Sequence, residues 1–269
     1  MRSYDTVIEA RSNTRPTAAE YINTIISDFS EMHGDRKFGD DAAIVTGIGY
    51  LGNMPVTVVG IEKGIDTEDK IKHNFGAAHP EGYRKALRQF KLAEKFGRPI
   101  ICFVDTAGAF CGIDAEERGQ GQAIAENLAE MMTLKVPIIS IIIGEGGSGG
   151  AIALAVADEV WMLSNAYYSV ISPESCANIL WKDVNKAQRA ASALKLTAKN
   201  LLSQGVIEKI CKEPDDFLQP EARQIFFDTL EENLISKIKK LKKEKINVLL
   251  ENRYQKFRKI GEYDDYIKR

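Results

Sequence analysis

Residues 138–151 read Ile-Ile-Ser-Ile-Ile-Ile-Gly-Glu-Gly-Gly-Ser-Gly-Gly-Ala, and they constrain this chain more than any other stretch. A nearly unbroken β-branched apolar run predicts a strand buried on both faces. Five glycines and Ser148 then turn the chain, and residues 151–157 read as a short buried helix. Glycine is required where backbone takes unusual dihedral angles or approaches another group closely. Amides at a helix start have no intrahelical acceptor, and the helix dipole favours negative charge there. A buried strand that delivers unhindered N–H groups to a helix start predicts an anion or oxyanion site. Gly149 and Gly150, last before the predicted helix, are its best donors. The plain alternative is a turn whose glycines serve only close packing.

Two other signatures fit the same letters and fail on context. Gly146–Gly147–Ser148–Gly149–Gly150 spells the G-x-S-x-G elbow of serine hydrolases, which places its acid and histidine after the serine. His33, His73 and His79 all precede Ser148. Gly144-x-Gly146-x-x-Gly149 spells a dinucleotide fingerprint, whose next strand ends in an acid. Here that strand ends in Ser164–Asn165.

A chain of 269 residues holds one large domain or two small ones. Its net charge of −2 argues against a nucleic-acid-binding surface over the whole protein, though a local patch stays open. Cys102, Cys111, Cys176 and Cys211 lack C-x-x-C spacing, so no metal site is expected. Reduced thiols without a signal peptide point to the cytoplasm. No uncharged apolar run approaches the length of a membrane span.

Taken in order, residues 1–15 are short and polar and read as an arm. Thr17-x-x-Glu20 is a capping box that opens a helix with Ile22, Ile25, Ile26, Phe29 and Met32 on one face. Gly34–Asp35–Arg36 ends it. Residues 43–51 and 54–62 form a β-hairpin across Gly52–Asn53. Residues 65–74 read as a polar loop whose Lys70, Lys72 and His73 suit either a phosphate-bearing ligand or solvent. Pro80 starts a helix that Gly97 and Pro99 stop. Residues 100–104 form a second buried strand, and 115–134 a long helix. Strands follow at 160–163, 167–171 and 206–210, with a short helix from Pro173. From Pro220 the chain is helical, with Leu230, Leu234, Ile238 and Leu241 on one side. Lys237, Lys239, Lys240, Lys242, Lys243 and Lys245 crowd the other side, as a solvated face or a basic dock. Two buried strands lead through glycine turns into helices, and a hairpin feeds the first. This β-β-α repetition predicts an α/β core with ligand at the strands' carboxyl ends.

At this point several strings carry a specific resemblance. They are Gly34–Asp35–Arg36, Phe38–Gly39–Asp40–Asp41 and the run from Pro80 to Leu87. Ala115–Glu116–Glu117–Arg118–Gly119–Gln120, residues 144–150, the run from Tyr168 to Glu174, and Ile179–Leu180–Trp181–Lys182 complete the set. Together, over about residues 15–214, they resemble the α subunit of bacterial acetyl-CoA carboxylase carboxyltransferase.

The resemblance implies a crotonase-like β-β-α spiral with flanking N- and C-terminal helices. It divides the chain into an arm and helix (1–33), a carboxyltransferase domain (34–219) and a helical extension (220–269). It further implies an α2β2 assembly with a β subunit. That assembly moves a carboxyl group from carboxybiotin, on a biotin carboxyl carrier protein, to acetyl-CoA. The product is malonyl-CoA for fatty acid synthesis, and biotin carboxylase joins the larger ATP-dependent complex. Such transfer needs no nucleophilic side chain. By resemblance Gly149 and Gly150 serve the biotin oxygen, within a pocket that includes Gly146, Gly147, Ser148 and Tyr168.

The chain departs from the family's usual text at two places. Where Asp-Thr-Pro-Gly-Ala-Tyr-Pro-Gly is usual, residues 105–112 carry Ala107, Phe110 and Cys111. Where Gly-His-Gln-Lys-Gly-Arg is usual, Ile61 and Ile65 replace the histidine and arginine. These changes fit either a divergent member or a paralogous carboxyltransferase or decarboxylase for another acyl-CoA.

Overall fold

A computed structural model describes residues 2–261 of the chain. The N-terminal part forms α1 (Ser3–Ala10), α2 (Ala18–Ile25), β1 (Ser27–Glu31) and the hairpin β2 (Ile44–Leu51) and β3 (Met54–Ile61). Then come α3 (Thr67–Lys72), α4 (Pro80–Phe96), β4 (Ile100–Thr106), α5 (Ile113–Glu117), α6 (Gln120–Thr133), β5 (Ile138–Gly147) and α7 (Ser148–Ile152). The chain continues through β6 (Glu159–Leu163), β7 (Tyr167–Ser169), α8 (Pro173–Trp181), α9 (Ala187–Leu194), α10 (Ala198–Ser203) and β8 (Lys209–Cys211). It closes with α11 (Pro220–Leu241) and α12 (Ile246–Lys259).

The strands form one sheet in the order β1-β2-β3-β4-β5-β6-β8, with β7 paired to the far end of β5. The first three are antiparallel, and β3 through β8 run parallel. Every residue of β4 and of β5 is buried, as a parallel strand covered on both faces requires. Each buried isoleucine there contributes about 1.5–3 kcal/mol of transfer free energy. That makes β5 the centre of the fold, and its glycine-rich end is the point where the sheet gives way to solvent.

The structure corrects several sequence expectations. The polar arm carries helix α1, with Val7 and Ala10 buried. The helix expected to run through Met32 ends at Ile25, and Phe29 lies in β1 instead. Asp28 takes a positive φ of 51° where the chain turns from helix to strand. The expected polar loop 65–74 contains α3. The helix expected over 115–134 breaks at Gly119, whose φ of 84° no continuous helix accepts. The last strand begins at Lys209 rather than 206. The helix expected from residue 151 starts at Ser148, so Gly149 and Gly150 lie inside its first turn.

At the opposite end of β5, Arg253 on α12 is almost fully buried. It donates to the carbonyls of Met131, Leu134 and Val136 and to both oxygens of Asp158, at 2.7–3.0 Å. Asp158 in turn accepts from the Ile138 amide at 2.7 Å. One guanidinium thus pins the final helix to the entry of the central strand.

Candidate active site

Three close approaches shape the carboxyl end of β5, and each needs glycine. A Cβ on Gly144 would stand 2.6 Å from the Asp105 carboxylate, and one on Gly147 2.0 Å from the Ala107 carbonyl oxygen. A Cβ on Gly146 would meet the Tyr168 ring and the Tyr167 carbonyl oxygen, both at 2.9 Å. Gly146 and Gly147 are therefore buried strand residues whose missing side chains let β4, β5 and β7 converge. Ser148 follows with a φ of 52° and is exposed. That left-handed residue swings the chain into α7.

Gly149 is half-buried and Gly150 buried. Their amides belong to the first turn of α7, where no intrahelical acceptor exists. A Cβ on Gly150 would lie 2.6 Å from the Ala109 nitrogen and 3.0 Å from the Tyr83 hydroxyl. A Cβ on Gly149 would meet only Ile124, at 3.6 Å, an ordinary contact. The loop after β4 thus brings the Ala109 amide beside the glycine turn. The buried Tyr83 hydroxyl there has no hydrogen-bond partner, and burial with the nearby Asp41 charge pushes its pKa up. Sequence reading missed Ala109 because its contribution is a backbone atom on another strand's loop.

Tyr168 lies half-buried along Gly146, its hydroxyl pushed up to about 12 by burial. The loop carrying Ala109 is held without the family's prolines. Phe110 stacks on His79 with centroids 4.0 Å apart, and Gln120 donates to the carbonyls of Ala78 and Phe110 at 2.8 Å. Ile61 is buried in β3 and Ile65 is exposed.

A second cluster, illegible in the sequence, occupies the same sheet end. Lys63 bridges Asp105 at 2.8 Å and Glu145 at 2.9 Å. Arg11, just past α1, reaches Glu145 and Glu174, both at 2.8 Å, and the Tyr167 hydroxyl donates to Glu145 at 2.7 Å. Burial opposes charge on Glu145, but Lys63, with Arg11 and Tyr167, holds its carboxyl below the usual range. A cleft of about 200 Å³ opens beside this cluster, lined in part by Arg11, Lys63, Asp105 and Lys70. Lys70 sits 2.5 Å from the Asn13 side-chain oxygen.

The histidines are engaged elsewhere: His33 with Asp40, His73 with Asp69 and His79 with Asn74. None forms a hydrogen bond with Ser148, so the hydrolase reading fails in space as well as in order. Among the described residues, no three His, Cys, Asp or Glu side chains gather closely enough to hold a metal ion. No described helix is long and apolar enough to cross a membrane. Cys111 is exposed, and the other three cysteines are buried and unpaired.

A parallel sheet with helices on both faces, fed by an antiparallel hairpin and centred on a strand that ends in this glycine turn, is the crotonase-like fold. Solved structures agree on the fold. Transcarboxylase 12S, crystallised with methylmalonyl-CoA, matches with a TM-score of 0.65 at 18% identity over 78% of this chain. The β subunit of P. aeruginosa geranyl-CoA carboxylase matches with 0.63 at 15% identity over 88%. This chain spans 41% and 44% of those two chains.

Sequence comparison narrows the class. The family model described as acetyl co-enzyme A carboxylase carboxyltransferase-like matches residues 1–261, and the chain belongs to that family. The acetyl-CoA carboxylase carboxyl transferase subunit α of Ruminiclostridium cellulolyticum is 58% identical over 97% of this chain and 98% of its own length. That of Streptococcus uberis is 57% identical over 93% and 96%. A Clostridium tetani relative named subunits beta/alpha is 52% identical, and this chain spans 44% of it.

Proposed function

We propose that this chain is the α subunit of a biotin-dependent acetyl-CoA carboxyltransferase, active together with a β subunit in an α2β2 assembly. It works in the cytoplasm, receives its carboxyl group from a biotin carboxyl carrier protein charged by biotin carboxylase, and yields malonyl-CoA. The observation that carries this reading is the glycine turn after β5. Its first-turn amides lie beside the Ala109 backbone nitrogen, and Ser148 within it has no histidine partner.

Carboxybiotin, when bound, supplies the carboxyl group and a ureido oxygen on which negative charge develops. The chain offers that oxygen donors only. Gly149 and Gly150 present first-turn amides at the positive end of α7, and the Ala109 amide lies beside them. Their worth rises in a water-poor pocket because they are already oriented and need no reorganisation. Ser148 keeps the turn's left-handed geometry, and its hydroxyl takes no proton. Tyr168, neutral through the physiological range, packs along Gly146 without adding charge.

The fused beta/alpha relative supports a β-subunit partner. So does Val170, 78% exposed one residue past the Gly147–Ser169 pair, where an apolar partner surface would cover it.

The direct test replaces the Gly149 N–H with an ester oxygen by incorporating glycolate. This removes a donor and adds no side chain. Transfer in the assembled α–β enzyme should fall on the order of 10²–10³-fold. An ester variant with wild-type rate would defeat the oxyanion assignment. Purified chain alone should form no malonyl-CoA. The alternative reading is a different acyl-CoA, raised by Ala107, Phe110 and Cys111 standing where the family has other residues. Comparing acetyl-, propionyl- and butyryl-CoA in the assembly separates the two.

A further inference from the structure

Among the described residues, two tyrosines, Tyr21 and Tyr83, are fully buried with a hydroxyl that has no hydrogen-bond partner. Burying a hydroxyl forfeits its bonds to water and here returns none. Phenylalanine would fill almost the same space without that loss, so each oxygen calls for a reason. The Tyr21 ring lies among Phe103, Phe226 and Phe227, with centroids 5.1–6.2 Å apart. The Tyr83 oxygen lies against the glycine turn. It stands 3.0 Å from the place a Cβ on Gly150 would take, and the Ala109 nitrogen and Gly108 carbonyl carbon stand 2.6 and 2.8 Å from the same point. These atoms fill the side-chain space of Gly150 and leave its α-carbon a single place. Phenylalanine would end one heavy atom short of that contact.

A stop works only if it is itself fixed, and Asp41 fixes the start of α4. Its carboxylate accepts the His79 amide at 2.6 Å and lies against Gly82, where a Cβ would stand 2.7 Å away. Its carbonyl accepts from the buried Lys85 at 2.7 Å. Across Gly150, the loop after β4 is held by Gln120 and by the Phe110 amide, which donates to the Ala78 carbonyl at 3.0 Å. Beyond the last turn of α7, Asn127 donates to the Ala153 carbonyl at 3.3 Å and Ser140 to that of Leu154. The short helix is thus tied down past its end and packed against Tyr83 in its first turn.

We propose that Tyr83 is a positioning residue for carboxyl transfer, its phenolic oxygen acting by bulk to hold Gly150 so that the first-turn amides of α7 keep their aim. This rests on the carboxyltransferase reading with Gly149 and Gly150 as donors. The oxygen is out of reach of water and touches no reacting group, so it works through Gly150. Aim matters because a misplacement of about 1 Å can cost on the order of 10²-fold in rate.

The test is Tyr83→Phe in the assembled α–β enzyme. Its kcat should fall about tenfold, short of the loss of a whole donor, with KM for acetyl-CoA within about twofold of wild type. Deuterium exchange in residues 148–154 should quicken at least about threefold. The melting temperature should not fall, because an unpartnered hydroxyl leaves the interior. 4-Fluorophenylalanine at position 83 should restore both rate and exchange, since fluorine fills the oxygen's place without donating a hydrogen bond. Tyr21→Phe makes the same change elsewhere and should leave the rate within about twofold.

A melting temperature that falls in step with the rate marks ordinary packing and overturns the inference, as do an unchanged rate and exchange. Failure of the fluorine variant to restore the rate overturns positioning by bulk. Faster exchange at wild-type rate overturns it too, and the Gly149 ester variant then locates the fault. If the ester variant also keeps its rate, the donor reading has failed; if it loses rate, only the role of Tyr83 has.

Discussion

The two sides of the β5 terminus handle charge in opposite ways. On one side Arg11, Lys63, Asp105, Glu145 and Tyr167 satisfy each other within 3 Å, and no group is left to act. On the other side the glycine turn keeps its amides open and carries no charge of its own. The first side fixes where the strand end lies; the second uses that fixed position. Backbone donors cannot be re-aimed by a rotamer change, so their precision comes from neighbours that hold the backbone. The ion cluster is such a neighbour, because Asp105 Oδ1 also accepts the Glu145 amide at 2.8 Å.

Breaking the cluster should have the largest effect. Lys63→Met leaves the largely buried Asp105 carboxylate without a cation, while Glu145 keeps Arg11 and Tyr167, and should cost about 3–5 kcal/mol of stability, measured by urea unfolding. A loss under about 1 kcal/mol would mean the cluster does not hold the strand end. Next comes the glycine side. Gly149→Val should lower transfer on the order of 10²–10³-fold by blocking approach to its amide, as much as loss of the donor would, while Gly149→Ala should melt near wild type because its Cβ meets only Ile124. Gly150→Ala should lower both rate and melting temperature, since its Cβ must displace the Ala109 backbone. Equal behaviour of the two variants would erase the distinction between an open donor and a packed one. Ser148→Ala should keep activity within about tenfold, well short of the loss when a triad member is removed.

The smallest effect separates the sides by pH. The folded-state pKa of Glu145 is held below its unfolded value, so its contribution to stability is present above about pH 4.3. That contribution fades as pH falls through the lower, folded value. Glu145→Gln should therefore be less stable than wild type at pH 7, with a flatter decline below pH 4. A decline as steep as wild type would place the acid sensitivity elsewhere.

Legibility in the sequence followed the range of the interaction. β5 and its turn were readable because ten consecutive buried residues and five glycines are local facts. The helix expected through Met32 failed because Ile25, Ile26 and Phe29 satisfy a helical stripe and a strand over β2 equally well. The signal that would have decided it lay in β2. A Cβ on Gly47 would stand 2.2 Å from the Ser30 carbonyl oxygen, and one on Gly49 2.8 Å from that of Ser27. Two glycines in one hairpin strand announce a neighbouring backbone. Arg11 could not be foreseen, since its partner Glu145 is 134 positions away and its own surroundings read as polar and unpatterned. Ala109 was hidden for a different reason, because a backbone amide has no letter.

The Arg253 clamp bears on the order in which the molecule can be completed. Asp158 leaves the ribosome 95 residues before the guanidinium that pairs with it. At roughly 5–20 residues per second that interval is about 5–20 s. Throughout it, the carbonyls of Met131, Leu134 and Val136 face water instead of a partner. The sheet's central strand is thus synthesised early and sealed late. Nascent chains arrested before residue 253 should be cut by protease near residues 131–138, and chains arrested well beyond it should resist.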